Sequence, residues 1–71
     1  MNMLYRVIKC EYRDNGNRCI YYLNDRSLVQ ESRLVPVPFS LRFYDARQCM
    51  IYSDAIRQQM KQAVMLYKKQ H

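Results

Sequence analysis

Tryptophan and threonine are absent from this chain, and glycine and histidine occur once each. Each scarcity removes a class of chemistry. With Gly16 the only glycine, no loop can cradle phosphates through closely approaching backbone amides, as dinucleotide-binding and P-loop motifs do. His71 is the sole histidine and stands last, where a side chain is more often disordered than functional. Acid–base or triad chemistry built on histidine therefore has no credible member. The six acids, Glu11, Asp14, Asp25, Glu31, Asp45 and Asp54, include no DxD or ExxE pair. Asp14, Asp25 and Asp45 already suit turns or a helix cap, so no two-carboxylate or magnesium site is expected.

Cysteine is present but in a pattern that argues against staples. Three cysteines, Cys10, Cys19 and Cys49, are an odd number with no close spacing, unlike a secreted disulfide framework. With His71 they fit no zinc-ligand spacing, so small thiols in the core are expected. No histidine lies near in sequence to activate one as a nucleophile. Long hydrophobic runs are also missing. The longest uncharged stretch, Leu34 to Leu41, falls far short of the ~20 residues of a spanning helix, and MNMLYRV has no signal-peptide apolar core. These absences predict no catalysis, no cofactor, no metal and no membrane partner. They point to a reducing compartment.

What is present is positive charge and tyrosine. Twelve Lys and Arg against six acids give a net charge of +6, and seven residues are Tyr. The cations are spread along the chain, which predicts a folded basic surface and an acidic partner, either nucleic acid or an anionic protein surface. At 71 residues the chain is expected to be a single domain, 1–71. A fold this small buries only ~60% of its unfolded surface, leaving little room for a deep pocket.

Residues 3–23 read as a β-hairpin. Asn15-Gly16 suits the two central positions of a type I′ turn, which need positive φ. A two-residue loop there opposes Tyr12 with Cys19, Cys10 with Tyr21, and Ile8 with Leu23, giving one coherent apolar face. The other face carries Lys9, Glu11, Arg13, Arg18, Ile20 and Tyr22. Residues 24–44 form a connector: a turn at 24–27, an ambiguous 28–32, an extended Arg33–Phe39 enforced by Pro36 and Pro38, and a short strand 41–44. Residues 45–70 read as one amphipathic helix capped by Asp45. Its inward stripe is Cys49, Ser53, Ile56, Met60, Ala63 and Tyr67, flanked by Tyr52, Gln59 and Val64. Ser53-Asp54 offers a later start, but the stripe crosses it in phase. The expected fold is α+β: an antiparallel sheet of three or four strands packed on one long C-terminal helix.

On the far side of that helix, Arg57, Lys61 and Lys68 form a basic ridge, with Met50, Ile51 and Met65 also turned outward. Either this is a solvated face with scattered apolar residues, or it is a second contact surface. Cations beside aromatics, as at Arg18 with Tyr21-Tyr22 and at Arg42-Phe43-Tyr44, read first as tyrosines in a core and otherwise as a platform for stacked bases, with Tyr22 the main outward ring.

The stretch LRFYDARQCMIYSDAIRQQM resembles a pattern of very short phage and prophage reading frames, in which a hairpin and a strand ending in an aromatic lead into a capped, alanine-containing helix. Phe43, Asp45 and Ala46 occupy those positions, with Cys49 where alanine is usual. The resemblance implies a phage-encoded accessory protein of the host-takeover or defence-inhibitor kind, the class that includes anti-CRISPR proteins, which occupy a surface of a larger complex. Many of those are acidic mimics of nucleic acid; this chain is basic. The expected function is that of a small non-enzymatic basic binding protein that inhibits or modulates a larger bacterial nucleoprotein or enzyme complex. Its expected contact residues are Arg47, Met50, Arg57, Lys61, Met65, Lys68 and Tyr22. The alternatives are a small RNA- or DNA-binding module and a homodimer assembled through Met50, Ile51 and Met65.

Overall fold

Asp14, Asn15 and Gly16 all have positive φ, at 53°, 56° and 86°. The Gly16 amide donates to the Arg13 carbonyl and the Asn17 amide to the Asp14 carbonyl. Two overlapping turns thus reverse the chain, both with the left-handed central residues that match the twist of a hairpin. The structure, a computed structural model, describes residues 4–36 and 40–71. In it, β1 (Val7–Arg13) and β2 (Arg18–Leu23) flank this turn.

The expected register holds from the turn outward: Tyr12 opposes Cys19 and Cys10 opposes Tyr21. It changes beyond Lys9. A bulge between Val7 and Lys9 turns Ile8 out and sets Val7 opposite Leu23. Two adjacent apolar residues compete for one inward site, and the extra residue of the bulge decides for Val7. Tyr12 is on the inward face yet mostly exposed.

The turn at 24–27 joins β2 to β3 (Leu28–Ser32), which resolves the ambiguous segment as a strand. Asp25 Oδ1 accepts from both the amide and the hydroxyl of Ser27. β4 (Leu41–Tyr44) forms as expected, and the sheet is antiparallel in the order β1-β2-β3-β4. The connector is thus two strands and a loop. The Ser32 amide donates to the Ser40 carbonyl, closing the excursion between β3 and β4. Arg33–Pro36 lie outside any strand, and Val37, Pro38 and Phe39 lie outside the described residues.

The helix is shorter than its periodicity predicts. α1 runs from Asp54 to Gln70, with Ser53 as N-cap accepting from the Ile56 amide. Asp45 instead caps a tight turn: its Oδ1 accepts from the amides of Arg47 and Cys49, each at 2.9 Å. Gln48 takes φ 66°, which a right-handed helix excludes. The reason is the edge of β4. The reversal at 45–49 brings Met50 opposite Tyr44 and lets the Ile51 amide donate to the Phe43 carbonyl. Backbone groups of the edge strand that a helix would leave unpaired are satisfied.

α1 lies on one face of the sheet. The core is Val7, Cys19, Tyr21, Leu23, Val29, Phe43, Met60, Ala63 and Val64, with Ile51 and Tyr67 packed against it. Of the expected helical stripe, Met60 and Ala63 are buried. Ile56 is 38% exposed, and Val64, one step round the helix, is 1% exposed. Among the described residues no helix is long and apolar enough to cross a membrane.

Candidate functional site

Burial of Val64 decides where the cations go. On a helix of ~100° per residue, Arg57, Lys61 and Lys68 adjoin Val64, so they lie along the flank over β3 and β4 and not on the back of the helix. Arg57 and Lys61 are half-buried there. Alternation in LRFY sends Phe43 into the core, with Leu41 half-buried beside it. Between this floor and the helix lies a hollow of about 450 Å³ bounded by Arg57, Gln58, Lys61 and Asp54. A second, of about 210 Å³, continues on the other side of Arg57 and is walled by Met50, Ile51 and Tyr52. The two hollows share Leu41, Phe43 and Arg57. They form one groove with an apolar floor and cationic sides.

Arg57 Nη2 is paired with Asp54, one helical turn away. Asp54 is almost fully exposed, and such surface pairs contribute little. A partner carboxylate could therefore take over the guanidinium at small cost. Among the described residues Lys61 makes no ion pair. Cations beside desolvated apolar atoms are the chemistry of a protein-binding groove, in which an arginine or aromatic anchors and polar groups rim.

The seven expected contact residues do not form one surface. Met50, Arg57 and Lys61 meet in the groove. Lys68 is engaged within the fold, 2.7 Å from Glu31 Oε2. Met65, 51% exposed, lines neither hollow, and Arg47 sits exposed on the turn before Met50. Tyr22 is on the opposite side of the sheet, with Lys9 Nζ 4.8 Å from its ring centroid. The homodimer face also divides, because Met50 and Ile51 run along β4 while Met65 belongs to the helix. Leu41, Phe43 and Tyr52 escaped the sequence reading as site residues. Alternation marks the first two as inward-facing, and no local signal places Tyr52 beside a groove.

A third hollow, of about 420 Å³, opens between the helix C-terminus and the hairpin, where Cys10, Cys19, Tyr21, Glu31, Lys68 and His71 converge. Cys10 Sγ and Cys19 Sγ are 2.6 Å apart, and both thiols are free. The hairpin register, with Cys10 opposite Tyr21 and Tyr12 opposite Cys19, places the two thiols diagonally on one face. Burial, and secondarily the Cys19 thiol, pushes Cys10 up to about 12. Burial likewise raises the Tyr21 phenol, which donates to Glu31 Oε1 at 3.0 Å. The His71 ring stacks on Tyr67 at 4.3 Å. Raised in this way, the Cys10 thiol is a poor nucleophile, and the cluster suits packing. Among the described residues no three His, Cys, Asp or Glu side chains are grouped to hold a metal ion.

No protein-family model, curated protein or solved structure matches the chain.

Proposed function

We propose that the chain is a non-enzymatic binding protein, phage-encoded and active in the bacterial cytoplasm, that inhibits or modulates a larger bacterial complex by docking through the groove at Arg57. The occupant is a protein segment carrying apolar side chains between acidic ones. The observation that carries this reading is the position of Arg57. It stands between two hollows that share the apolar floor of Leu41 and Phe43. The net charge of +6 favours an acidic partner, and α1 beyond Asp54 carries no acidic side chain to oppose one.

An anchoring arginine typically contributes about 2 kcal/mol or more to an interface, or roughly a 30-fold change in Kd. The test is capture of bacterial proteins from nuclease-treated lysate on the immobilised chain, with mass spectrometry. The double substitution Arg57→Ala and Lys61→Ala serves as control, its fold checked by thermal melting. Loss of a defined complex in the folded double variant supports the groove. Undiminished capture removes it.

A further inference from the structure

The face of the sheet turned away from α1 is covered by no described element, and strand pairing arranges it in rows. Lys9, Tyr22, Leu28 and Tyr44 are successive cross-strand partners. Glu11, Ile20, Gln30 and Arg42 form the next row, and Arg13, Arg18 and Ser32 the third. The two tyrosines are two strands apart, about 10 Å at the usual strand spacing. Their side chains are half-buried, as are Ile20, Leu28 and Gln30. Half-buried residues of this kind keep apolar surface open, and the exposed Lys9 that stands over the Tyr22 ring can give way to a base.

Charge on this face is mostly positive. Lys9, Arg13, Arg18 and Arg42 lie on it, against Glu11 on β1 and Asp14 at the turn. Glu11 Oε1 is 3.0 Å from Lys9 Nζ and its Oε2 is 2.9 Å from Arg13 Nη2. These pairs involve exposed groups, which exchange readily for other anions. Glu31, the acid of β3, points to the helix side and is held by Tyr21 and Lys68.

An independent feature lies beside Tyr44. A hollow of about 150 Å³ is bounded by Gln30, Ser32, Ser40, Arg42 and Tyr44. Ser40 is 2% exposed, and its Oγ has no hydrogen-bond partner among the described residues. A buried hydroxyl without a partner is uncommon, and here it borders a hollow that also receives an amide side chain. An amide and a hydroxyl next to an aromatic ring are what the edge of a stacked base requires.

We infer that this face binds single-stranded nucleic acid. Bases stack on Tyr22 and Tyr44, the edge of the base at Tyr44 meets Gln30 and Ser40, and phosphates follow Arg13, Arg18 and Arg42. Its tyrosines lie on the other side of the sheet from the groove at Arg57, and the two sites share only Arg42, which borders a hollow of each. The inference therefore does not depend on the groove reading. A single strand is favoured over a protein segment here, because every row carries a cation, Lys9, Arg42 or Arg13 with Arg18, along which phosphates can run beside the rings.

The test is fluorescence anisotropy of the full chain with labelled mixed-sequence 12-mers of single-stranded RNA, single-stranded DNA and duplex DNA, at 50 and 200 mM salt. Both single strands are expected to bind better than duplex, the tighter one identifying the natural ligand class. Contact with about three phosphates predicts that affinity falls roughly 10- to 20-fold between the two salts. Substituting Tyr22→Leu with Tyr44→Leu is expected to weaken binding at least 10-fold, whereas Tyr22→Phe with Tyr44→Phe, which keeps the stacking planes, binds as the parent does. If the leucine pair does not fold, Arg13→Gln with Arg18→Gln is read instead, and should flatten the salt dependence by a slope of about 1.4. Arg57→Ala with Lys61→Ala should change none of this. No binding at 50 mM salt overturns the inference. So does equal binding of duplex, or single-strand binding unaltered by a folded leucine pair or, where that pair is unfolded, by the glutamine pair.

Discussion

Two residues in left-handed backbone, Gly16 and Gln48, make opposite demands on substitution. A Cβ on Gly16, at φ +86°, would meet only Arg33 Nη1 at 3.8 Å, an ordinary van der Waals contact. The cost of Gly16→Ala is therefore conformational, about 1–2 kcal/mol, and should appear as a lower urea midpoint with an unchanged slope. Gln48 sits at φ 66° without a glycine's freedom. Gln48→Gly is expected to stabilise the fold by about 1 kcal/mol, less the extra entropy it adds to the unfolded chain. A midpoint lower than the parent's would show that the turn is not held as described. The thiols divide in the same residue-by-residue way. Cys49 is exposed, whereas Cys19 is buried and Cys10 is held protonated by its surroundings. Under native conditions at pH 8 a disulfide reagent should titrate one thiol rapidly and the other two only on unfolding. Because the folded Cys10 value is raised from 9.0 to about 12, its contribution to stability is full below pH 9 and lost as pH climbs toward 12. Burial moves Tyr21 and Tyr5 in the same direction. Denaturation midpoints should hold steady from pH 7 to 8 and fall from pH 9 upward, with a shallower fall in Cys10→Ala. Parallel slopes for the two proteins would contradict the assignment.

Among the elements, the hairpin was readable because two unrelated signals coincide. The turn chemistry of Asn15-Gly16 and the alternation of Cys10, Tyr12, Cys19 and Tyr21 select the same register. The bulge was not readable, since Val7 and Ile8 are equally apolar and only the third dimension chooses between them. The start of the helix was misplaced for a related reason. Helical phase runs unbroken through Cys49 and Ser53, and an aspartate followed by amide donors caps a hairpin turn as well as a helix. What decides is the unpaired edge of β4, which no local window contains. This assigns distinct roles to two polar residues. Ser53→Ala should cost about 1 kcal/mol and reduce helicity in circular dichroism, as loss of a helix cap does. Asp45→Ala should leave helicity unchanged while lowering stability, because it releases the amides of Arg47 and Cys49 in the turn. Equal loss of helicity in both variants would restore the longer helix. The same displacement explains the candidate site. Placing the helix start correctly moves Met50 beside Arg57, and burying Val64 turns Arg57 and Lys61 toward Leu41 and Phe43. Tyr44 gained significance only once β3 was seen to bridge it to Tyr22.

At the scale of the whole molecule, one thin sheet separates two surfaces of different chemistry. On the helix side is an apolar groove with cationic walls; on the other side, two tyrosines stand among arginines. The proposed modulator of a nucleoprotein complex would hold a protein component at one and a single strand at the other. The most direct test compares capture from one bacterial lysate, with and without nuclease, by three folded proteins: the parent, the pair Arg57→Ala and Lys61→Ala, and the pair Tyr22→Leu and Tyr44→Leu. The account predicts that after nuclease the parent and the tyrosine pair retain the same protein partner while the Arg57–Lys61 pair loses it. Retention of one partner set by all three would contradict it.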